Sequence, residues 1–241
     1  KWVIPPNRCS RKKQPLRKFD AKAFLEVRRG ISDVVFREDS EFEVKMVPKP
    51  LKNEKFQIFV NFEILKCDFK EEILPNESAL EFVERNTKEK ALNSLAIIQE
   101  KREKIIPVIT ADTVVSLDNQ IFGKPVDQDH CISMLLELSG RSHQVFTCVA
   151  IADLLNASSE DANISFEIVE SEVHFRQLNG DECLRYWKTG EPIDKAGGYA
   201  IQGLGATFIE KIVGSYSNVV GLPIFETCRL LENKKISFWL K

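Results

Sequence analysis

Apolar and polar positions alternate along some stretches of the chain and recur at helical spacing along others. Residues 144–152 and 165–175 alternate with period two across a polar link, which predicts a long β-hairpin. An apolar run over residues 105–109 leads toward Asp112, and a second run over residues 114–117 follows it. This segment predicts strand structure on both sides of a single carboxylate.

Helical patterns lie between the strand patterns. Ser78 and Glu81 form a capping-box sequence, which predicts a helix from there to about residue 99. A second helix is predicted over residues 129–138 and is ended by Gly140. Further short helices are predicted at 181–188 and 226–231, and further strands at 62–65, 121–122, 207–213 and 219–222. Because strands and helices alternate, the pattern predicts an α/β protein with a mixed sheet.

The first forty residues are weakly patterned, which predicts partial disorder or a short helix over residues 21–29. A first strand over residues 42–47 and a helix over residues 51–59 are predicted next. The chain is therefore divided into a basic extension, residues 1–40, and one domain, residues 41–241. Ten Lys and Arg against two acidic residues make the first thirty residues strongly basic. A nucleic-acid arm is one interpretation, but a solvated extension is favoured because no aromatic residues are interleaved for base stacking.

Composition places the chain among ordinary globular proteins, with 43% apolar residues, 29% charged residues and a formal net charge of −2. No apolar segment approaches the roughly 18 residues of a membrane span, and residues 1–25 lack the apolar centre of a signal peptide. The cysteines form no C-x-x-C pair and are interpreted as reduced thiols, which favours a cytoplasmic location. Neither a membrane nor nucleic acid is expected as a partner.

Two regions of the sequence are candidates for chemistry. Asp112 is either a turn or cap residue between two strand segments, or a catalytic carboxylate at a strand end facing a cleft. Six of the eleven glycines fall between Gly197 and Gly221, where backbone N–H groups could approach a ligand closely. Lys195 adds a cation suited to phosphate. Gln202 carries a donor and an acceptor that match the N3–H and O4 edge of uracil or thymine, although a surface glutamine is the commoner case.

Other candidates are individually weak. Lys90 and Lys124 are each, taken alone, most simply solvated surface lysines. Glu71 and Glu72 could bind Mg²⁺, although an acidic loop is the default interpretation. The three histidines, His130, His143 and His174, have no metal-ligand spacing and are assigned structural roles.

Together these residues resemble the Maf family of nucleotide pyrophosphatases. Its central motifs A-D-T, G-K-P and L-S-G-x-x-H-x-V-x-T are matched at residues 111–113, 123–125 and 138–147. Its later motifs G-E-P, D-K-A-G-G-Y, I-Q-G and N-V-V-G-L-P are matched at 190–192, 194–199, 201–203 and 218–223, and E-K-A is matched at 89–91. The match covers roughly residues 62–231 in the family's order and spacing.

The resemblance implies an elongated α/β fold with two lobes around a central cleft, often as a homodimer. It implies hydrolysis of a nucleoside triphosphate, with dTTP, UTP and modified pyrimidine nucleotides favoured, to the monophosphate and pyrophosphate. It also implies a divalent cation, Mg²⁺ or Mn²⁺. Asp112 would accept the proton of the attacking water and lie near the metal, for which Glu71 and Glu72 are further candidates. Thr113 and Gln202 would be specificity positions, and Lys90, Lys124 and Lys195 would face the phosphates.

One family motif is missing. The family's A-S-x-S-P-R-R loop should fall near residues 46–53, where this chain reads M-V-P-K-P-L-K-N. Only Pro50 and a basic residue, Lys52, persist, and a lysine cannot reproduce a bidentate arginine clamp. The sequence therefore leaves two hypotheses: a pyrimidine nucleotide pyrophosphatase, and a weakened or inactive nucleotide-binding or scaffold protein of the same fold.

Overall fold

The computed structural model describes residues 33–36, 62–65, 67, 70–100, 107–154 and 162–238. Strands and helices alternate along these ranges, so the predicted α/β class is confirmed. The elements are β1 (Asp33–Phe36), β2 (Phe62–Ile64), α1 (Ala79–Glu100), β3 (Val108–Leu117), β4 (Gln120–Phe122), α2 (Gln128–Leu138), β5 (Ser142–Leu154), β6 (Ala162–Phe175), α3 (Gly180–Trp187), β7 (Ile209–Val213), α4 (Tyr216–Val220) and α5 (Ile224–Asn233). Two 3₁₀ turns, Ala196–Gly198 and Leu204–Phe208, precede β7.

The strands form one sheet in the order β2-β1-β3-β5-β6-β7, with β4 paired to β3 off this path. Every pairing between the described strands is antiparallel, so the sheet is not mixed within these ranges, unlike the sequence prediction. Alternation of strands and helices gives the order of elements but not their direction. Here the β3–β4 and β5–β6 hairpins reverse the chain, and tight hairpins join only antiparallel strands.

Strand β3 has one continuous edge and one interrupted edge. Its first edge pairs with β5 from Val108 to Ser116. Its second edge pairs with β1 over residues 108–110 and with β4 over residues 115–117. Residues 111–114 therefore have no strand partner on that edge within the described part of the chain, and we call this opening the β3 gap. Asp112 lies in the middle of a continuous strand at this gap, so its predicted position in a turn or at a strand end is wrong.

The two faces of β3 are covered by different helices. Successive side chains of a strand point to opposite faces. Val108 and Val114 pack on α1, in clusters with side chains such as Leu95 and Val83, and this side is called the α1 face. Ile109 and Ala111 pack on α5, and Val115 and Leu117 on α2 and α3, so the opposite side is called the α5 face. Burial of these apolar side chains fixes which residues reach each face.

The capping and turn motifs of the sequence lie at the element boundaries that they predict. Ser78 and Glu81 make a reciprocal capping box: Ser78 N donates to Glu81 Oε2 at 2.9 Å, and Glu81 N donates to Ser78 Oγ at 3.3 Å. Asp118 and Asn119, with φ of 51° and 66°, form the two-residue loop between β3 and β4. Gly140 follows α2 with φ of 68°. The predicted hairpin is confirmed as β5 and β6.

Two further differences concern the ends of the chain. Residues 219–222 were predicted as a strand, but α4 occupies Tyr216–Val220 because Ser215 caps its start and Gly221, with φ of 110°, ends it. The strand tendency of Val219 and Val220 is overridden by these caps. Strand β1 lies within the weakly patterned first forty residues, where the sequence predicted no strand.

Several predictions lie outside the described residues: the helices at 21–29 and 51–59, the strand at 42–47 and the loop near 46–53. The division of the chain between residues 40 and 41 stays a prediction. None of the helices within the described ranges is long and apolar enough to cross a bilayer.

His143 is part of the core beneath the α5 face. Its side chain is fully buried, Nε2 lies 2.8 Å from the Tyr199 hydroxyl, and its ring packs edge-on against Phe175. Burial, reinforced by nearby His174, lowers the pKa of His143 to about 3. The structural role assigned to this residue is therefore supported by its surroundings.

We expect this buried neutral ring to make stability depend on pH. Because the folded pKa lies below the ordinary value of 6.5, the stabilisation is complete above that value and is lost as pH falls toward about 3. The slope approaches about 1.4 kcal/mol per pH unit. In urea unfolding, the advantage of the wild type over His143→Gln should shrink between pH 6.5 and 4, whereas exposed His130→Gln should track the wild type. A constant difference between wild type and His143→Gln across this range would contradict the prediction.

Candidate active site

Asp112 projects from β3 onto the α1 face and is held by two residues one helical turn apart. Lys90 Nζ lies 2.9 Å from Asp112 Oδ1, and Asn86 Nδ2 donates to Asp112 Oδ2 at 3.2 Å. The Asp112 side chain retains 11% of its exposure. Its carboxylate is thus mostly desolvated but keeps some contact with solvent.

Glu71 connects this pair to a second lysine. Its Oε1 lies 2.8 Å from Lys90 Nζ, and its Oε2 lies 2.9 Å from Lys124 Nζ. Asp112, Lys90, Glu71 and Lys124 therefore form an alternating series of two carboxylates and two ammonium groups, which we call the acid–lysine chain. From Lys90 outward the exposure of the side chains increases, from 5% for Lys90 to 26% for Glu71 and 52% for Lys124. Lys124 is a surface lysine, whereas Lys90 is buried, unlike its default interpretation from sequence.

Burial and charge act against each other on these groups. Burial raises the pKa of Asp112, and the ammonium of Lys90 offsets only part of that effect. Burial alone would also raise the pKa of Glu71, but Lys90 and Lys124 together hold it below its usual value. For Lys90, burial would lower the pKa, but the two carboxylates raise it above 10.5. The pKa of Asp112 is thus raised from its ordinary value, whereas that of Glu71 is lowered.

The helix α1 places these side chains by its spacing and by two hydroxyl contacts. Asn86 and Lys90 are four residues apart and share the face that packs on the sheet. Thr110 Oγ1 donates to the Thr87 carbonyl at 2.9 Å, and Thr87 Oγ1 donates to the Val83 carbonyl at 2.7 Å. The bond from Thr110 fixes the helix against β3 beside Asp112, whereas the bond from Thr87 to Val83 lies within α1.

Asn86 is a site residue that sequence reasoning missed. Its side chain is fully buried, and its Oδ1 has no hydrogen-bond partner among the described residues. A buried amide with one oxygen that lacks a hydrogen bond destabilises the fold, and such a residue calls for an explanation. The hydrogen bond from Asn86 to Asp112 provides one. The only signal in the sequence was a polar residue on the apolar side of α1, one turn before Lys90.

Thr113 points the other way, onto the α5 face. Its Oγ1 lies 2.9 Å from Thr147 Oγ1, and Thr147 Oγ1 donates at 2.9 Å to the Asn218 carbonyl, which can only accept. The single hydrogen of Thr147 is therefore committed, so Thr113 must be the donor in their contact. Toward a ligand at the β3 gap, the Thr113 hydroxyl can offer only an acceptor.

The glycine-rich segment lies on the same side as Thr113. Gly197 N donates to the Gly123 carbonyl at 3.0 Å, which joins this segment to the loop that carries Lys124. A Cβ on Gly197 would lie 2.9 Å from Val115 Cγ2, and its φ of 69° also favours glycine. Lys195 is half-buried and Gln202 is exposed, and neither is hydrogen-bonded or ion-paired through its side chain to another residue of the described ranges.

The remaining candidates lie elsewhere. The Glu72 side chain is exposed and forms an ion pair with Lys70, while its carbonyl accepts from Arg85 at 2.8 Å. The structure therefore separates Glu72 from Asp112, although it follows Glu71 in sequence. Lys52 lies outside the described residues.

This arrangement can perform general-base chemistry on a polyanion. A desolvated carboxylate with a raised pKa is a better proton acceptor than an exposed one. Two adjacent lysines supply the positive charge that a phosphate chain requires, and within the described ranges no strand pairs with the edge of β3 at Asp112 and Thr113.

Comparison with known proteins gives consistent matches over most of the chain. Residues 53–234 match the family model for Maf-like proteins. The dTTP/UTP pyrophosphatase of Saccharophagus degradans is 39% identical over 183 residues, covering 76% of this chain and 83% of that protein. The dTTP/UTP pyrophosphatase of Alkalilimnicola ehrlichii is 46% identical, and the match covers 68% of this chain and 77% of that protein. The dTTP/UTP pyrophosphatase of Escherichia coli O157:H7 is 43% identical, and the match covers 73% of this chain and 84% of that protein. The resemblance carried by the motifs is thus confirmed, and the chain belongs to the Maf-like protein family.

Proposed function

We propose that this protein hydrolyses the pyrimidine nucleoside triphosphates dTTP and UTP to the monophosphate and pyrophosphate. The observation that carries the proposal is the acid–lysine chain at the β3 gap, where the mostly desolvated carboxylate of Asp112 contacts the buried Lys90. The relatives, named as dTTP/UTP pyrophosphatases, support the same reaction and substrate class. The chain is accordingly a hydrolase that acts on a phosphoric anhydride.

In the proposed reaction, a water oxygen attacks the α-phosphorus, and the bond from that phosphorus to the bridging oxygen breaks. Pyrophosphate leaves, and the proton of the water passes to Asp112. The raised pKa of Asp112 suits this task because a stronger base takes the proton more readily. Asn86 and Lys90 would keep the carboxylate from rotating while it acts.

The lysines would neutralise the phosphate chain. A triphosphate carries several negative charges, so nucleophilic attack by a polarised water is favourable only where cations compensate them. Lys90 and Lys124 now contact Glu71, and substrate phosphates would compete with this carboxylate for both ammonium groups. Lys195 would add a third cation from the glycine-rich segment.

A divalent cation, Mg²⁺ or Mn²⁺, is part of the proposal. Asp112 and Glu71 fit it, because both place a carboxylate oxygen on the same ammonium group and so lie close together. Within the described residues no group of three or more acidic, His or Cys side chains could hold a metal, but Mg²⁺ commonly takes one or two carboxylates with substrate phosphates and water. A bound cation would neutralise charge on the phosphate oxygens.

Base selection is assigned to Thr113 and Gln202. The uracil and thymine edge has a donor, N3–H, beside an acceptor, O4, and the amide of Gln202 can satisfy both. Thr113 would accept a hydrogen bond from the nucleotide, since its own hydrogen is committed to Thr147.

One feature of the sequence favours a second candidate function. The segment at residues 46–53 lacks the serines and paired arginines that the resemblance implies, and Lys52 is the basic residue retained from that motif. A protein without these phosphate-binding residues could bind nucleotide as a scaffold and hydrolyse it weakly or not at all.

Pyrophosphate release separates the two functions. Purified protein with Mg²⁺ or Mn²⁺ should release pyrophosphate from UTP and dTTP faster than from ATP, GTP or CTP. A thermal-shift scan with the same nucleotides measures binding independently. Stabilisation by UTP without pyrophosphate release under either metal would support the scaffold, and no stabilisation at all would contradict both functions. The homodimer stays a prediction, which sedimentation of the same sample would test.

A further inference from the structure

Two side chains outside the acid–lysine chain bind the backbone on both sides of Gln202. Glu191 lies in the turn after α3, and Tyr186 lies in the last turn of α3 itself. Neither contributes to the proposed chemistry described so far. Both are hydrogen-bonded to main-chain N–H groups within residues 200–205.

The bonds form a continuous network. The Tyr186 hydroxyl accepts from Ala200 N at 3.0 Å and donates to Glu191 Oε1 at 2.8 Å. The carboxylate of Glu191 then accepts from Leu204 N, through Oε2, and from Gly205 N, through Oε1, each at 2.9 Å. One phenol and one carboxylate thus hold residues that precede and follow Gln202. We call this network the Tyr186–Glu191 clamp.

Gln202 lies at the tip of the turn between the clamped residues. Gly203 N donates to the Ala200 carbonyl at 3.2 Å, which closes the turn around it. The Gln202 side chain is exposed, and no hydrogen bond joins it to another residue of the described ranges. Its starting point and direction are therefore set by the backbone that the clamp holds.

Close approach explains why glycine flanks this glutamine. A Cβ on Gly203 would lie 2.2 Å from Glu191 Oε2, and a Cβ on Gly205 would lie 2.7 Å from the Tyr186 hydroxyl. Glycine is the residue that permits such contact between backbone and side chain. Glycine at these two positions thus permits the tight packing of the clamp against the backbone.

Tyr186 is itself anchored. Its side chain is buried and its ring packs edge-on against Phe208 with centroids 4.9 Å apart. Burial raises its pKa, so the phenol stays protonated and keeps donating to Glu191. An anchored phenol fixes the carboxylate, and the carboxylate fixes the turn.

We propose that Glu191 and Tyr186 are positioning residues for base selection, which hold the turn that presents Gln202 to the uracil or thymine edge. The inference rests on the proposed function, because it requires that Gln202 contact the base. A hydrogen bond to a base requires its partner to be placed within a few tenths of an ångström, and a loop without a clamp would not provide this.

The test compares UTP with N3-methyl-UTP, which lacks the N3–H donor. The ratio of their kcat/KM values measures the contact with the base edge. Wild type should favour UTP by about tenfold or more, the loss expected for one hydrogen bond left unmade. Gln202→Ala should bring the ratio close to one, and Tyr186→Phe and Glu191→Gln should each lower it several-fold. Their KM for UTP should rise while kcat changes little, as expected for lost binding.

Matched controls and a double variant distinguish positioning from a general structural role. Exposed Tyr216→Phe and Glu210→Gln remove the same groups elsewhere and should leave the ratio unchanged. In the Gln202→Ala background, Tyr186→Phe should have almost no further effect on the ratio, because the two changes act through one contact.

The outcomes are separable. If Gln202→Ala leaves the ratio at its wild-type value, the role of Gln202 in the proposed function is wrong. If Gln202→Ala lowers the ratio but Tyr186→Phe and Glu191→Gln do not, the clamp is overturned and the proposed function stands. If the clamp variants lose kcat/KM equally for UTP and N3-methyl-UTP, the role of the clamp would also be overturned. Tyr186→Phe keeps the ring packing, so it serves if Glu191→Gln does not fold.

Discussion

Asp112→Asn is expected to reduce kcat for pyrophosphate release from UTP by about 10²–10⁴-fold, the contribution typical of a general base. The amide keeps the shape of the carboxylate and can still accept from Asn86, but it cannot take the proton of the attacking water. Lys90 keeps Glu71 as a partner, so the local structure should persist. Initial rates of pyrophosphate release at saturating UTP measure the effect.

The control for this variant is Asp118→Asn. Asp118 lies in the turn after the same strand, is 72% exposed and pairs with Arg141 at the surface. Its variant should match the wild type in kcat, and a thermal shift with UTP should remain in both variants. An Asp112→Asn protein that retains more than about a tenth of wild-type kcat would remove Asp112 from the role of base.

Lys90→Met is expected to cause the largest loss of stability, about 3–5 kcal/mol, together with loss of activity. The wild-type ammonium joins Asp112 and Glu71, and removing one partner of a buried ion pair leaves uncompensated charge. Here Asp112 would lose its ammonium partner, while the nearby Glu71 would keep only Lys124, and this also disfavours the ionised forms of the two carboxylates. Urea unfolding monitored by circular dichroism measures the loss.

Lys88→Met provides the matched control on the same helix. Lys88 is partly exposed and pairs with Glu84 one turn away, an interaction worth about 0.5 kcal/mol. Combining Lys90→Met with Asp112→Asn should recover part of the loss, because the double variant removes one of the facing charges. If Lys90→Met is no more destabilising than Lys88→Met, the buried ion pair contributes nothing to folding.

The sign of the pH dependence gives a second check on Lys90. Its pKa is raised in the folded protein, so its stabilisation is complete below the ordinary value of 10.5 and is lost as pH rises through the folded value. The difference between wild type and Lys90→Met should therefore persist at neutral pH and shrink in strongly alkaline solution.

Sequence reasoning identified the elements whose signals are local. The capping box at Ser78, the turn at Asp118 and the β5–β6 hairpin all depend on neighbours in the chain, and all formed as predicted. The motifs placed Asp112 and Lys90 among the candidates because a carboxylate and a lysine are residue types that act on phosphates. The sequence pattern could not show that the two side chains contact each other, since each residue type is also common at exposed surface and turn positions.

The rest depended on contacts between distant parts of the chain. Glu71 and Lys124 are 53 residues apart in sequence and meet only because the sheet folds between them. Asn86 has no motif, and only its burial beside Asp112 reveals it. Residues 219–222 look like a strand by composition, but the capping of Ser215 and the buried amide of Asn218, which donates to Val145 and Ser171, select a helix.

At the β3 gap, the residues proposed for phosphate cleavage and for base selection lie on opposite faces of a single strand. Because Asp112 and Thr113 are adjacent, they project in opposite directions, so a nucleotide in the gap would straddle the strand edge with its phosphates toward α1 and its base on the α5 face. Changes that accumulate on one side would then alter turnover, and changes on the other would alter which nucleotide is accepted. Such separation would let related proteins diverge in substrate while their cleavage machinery stays the same.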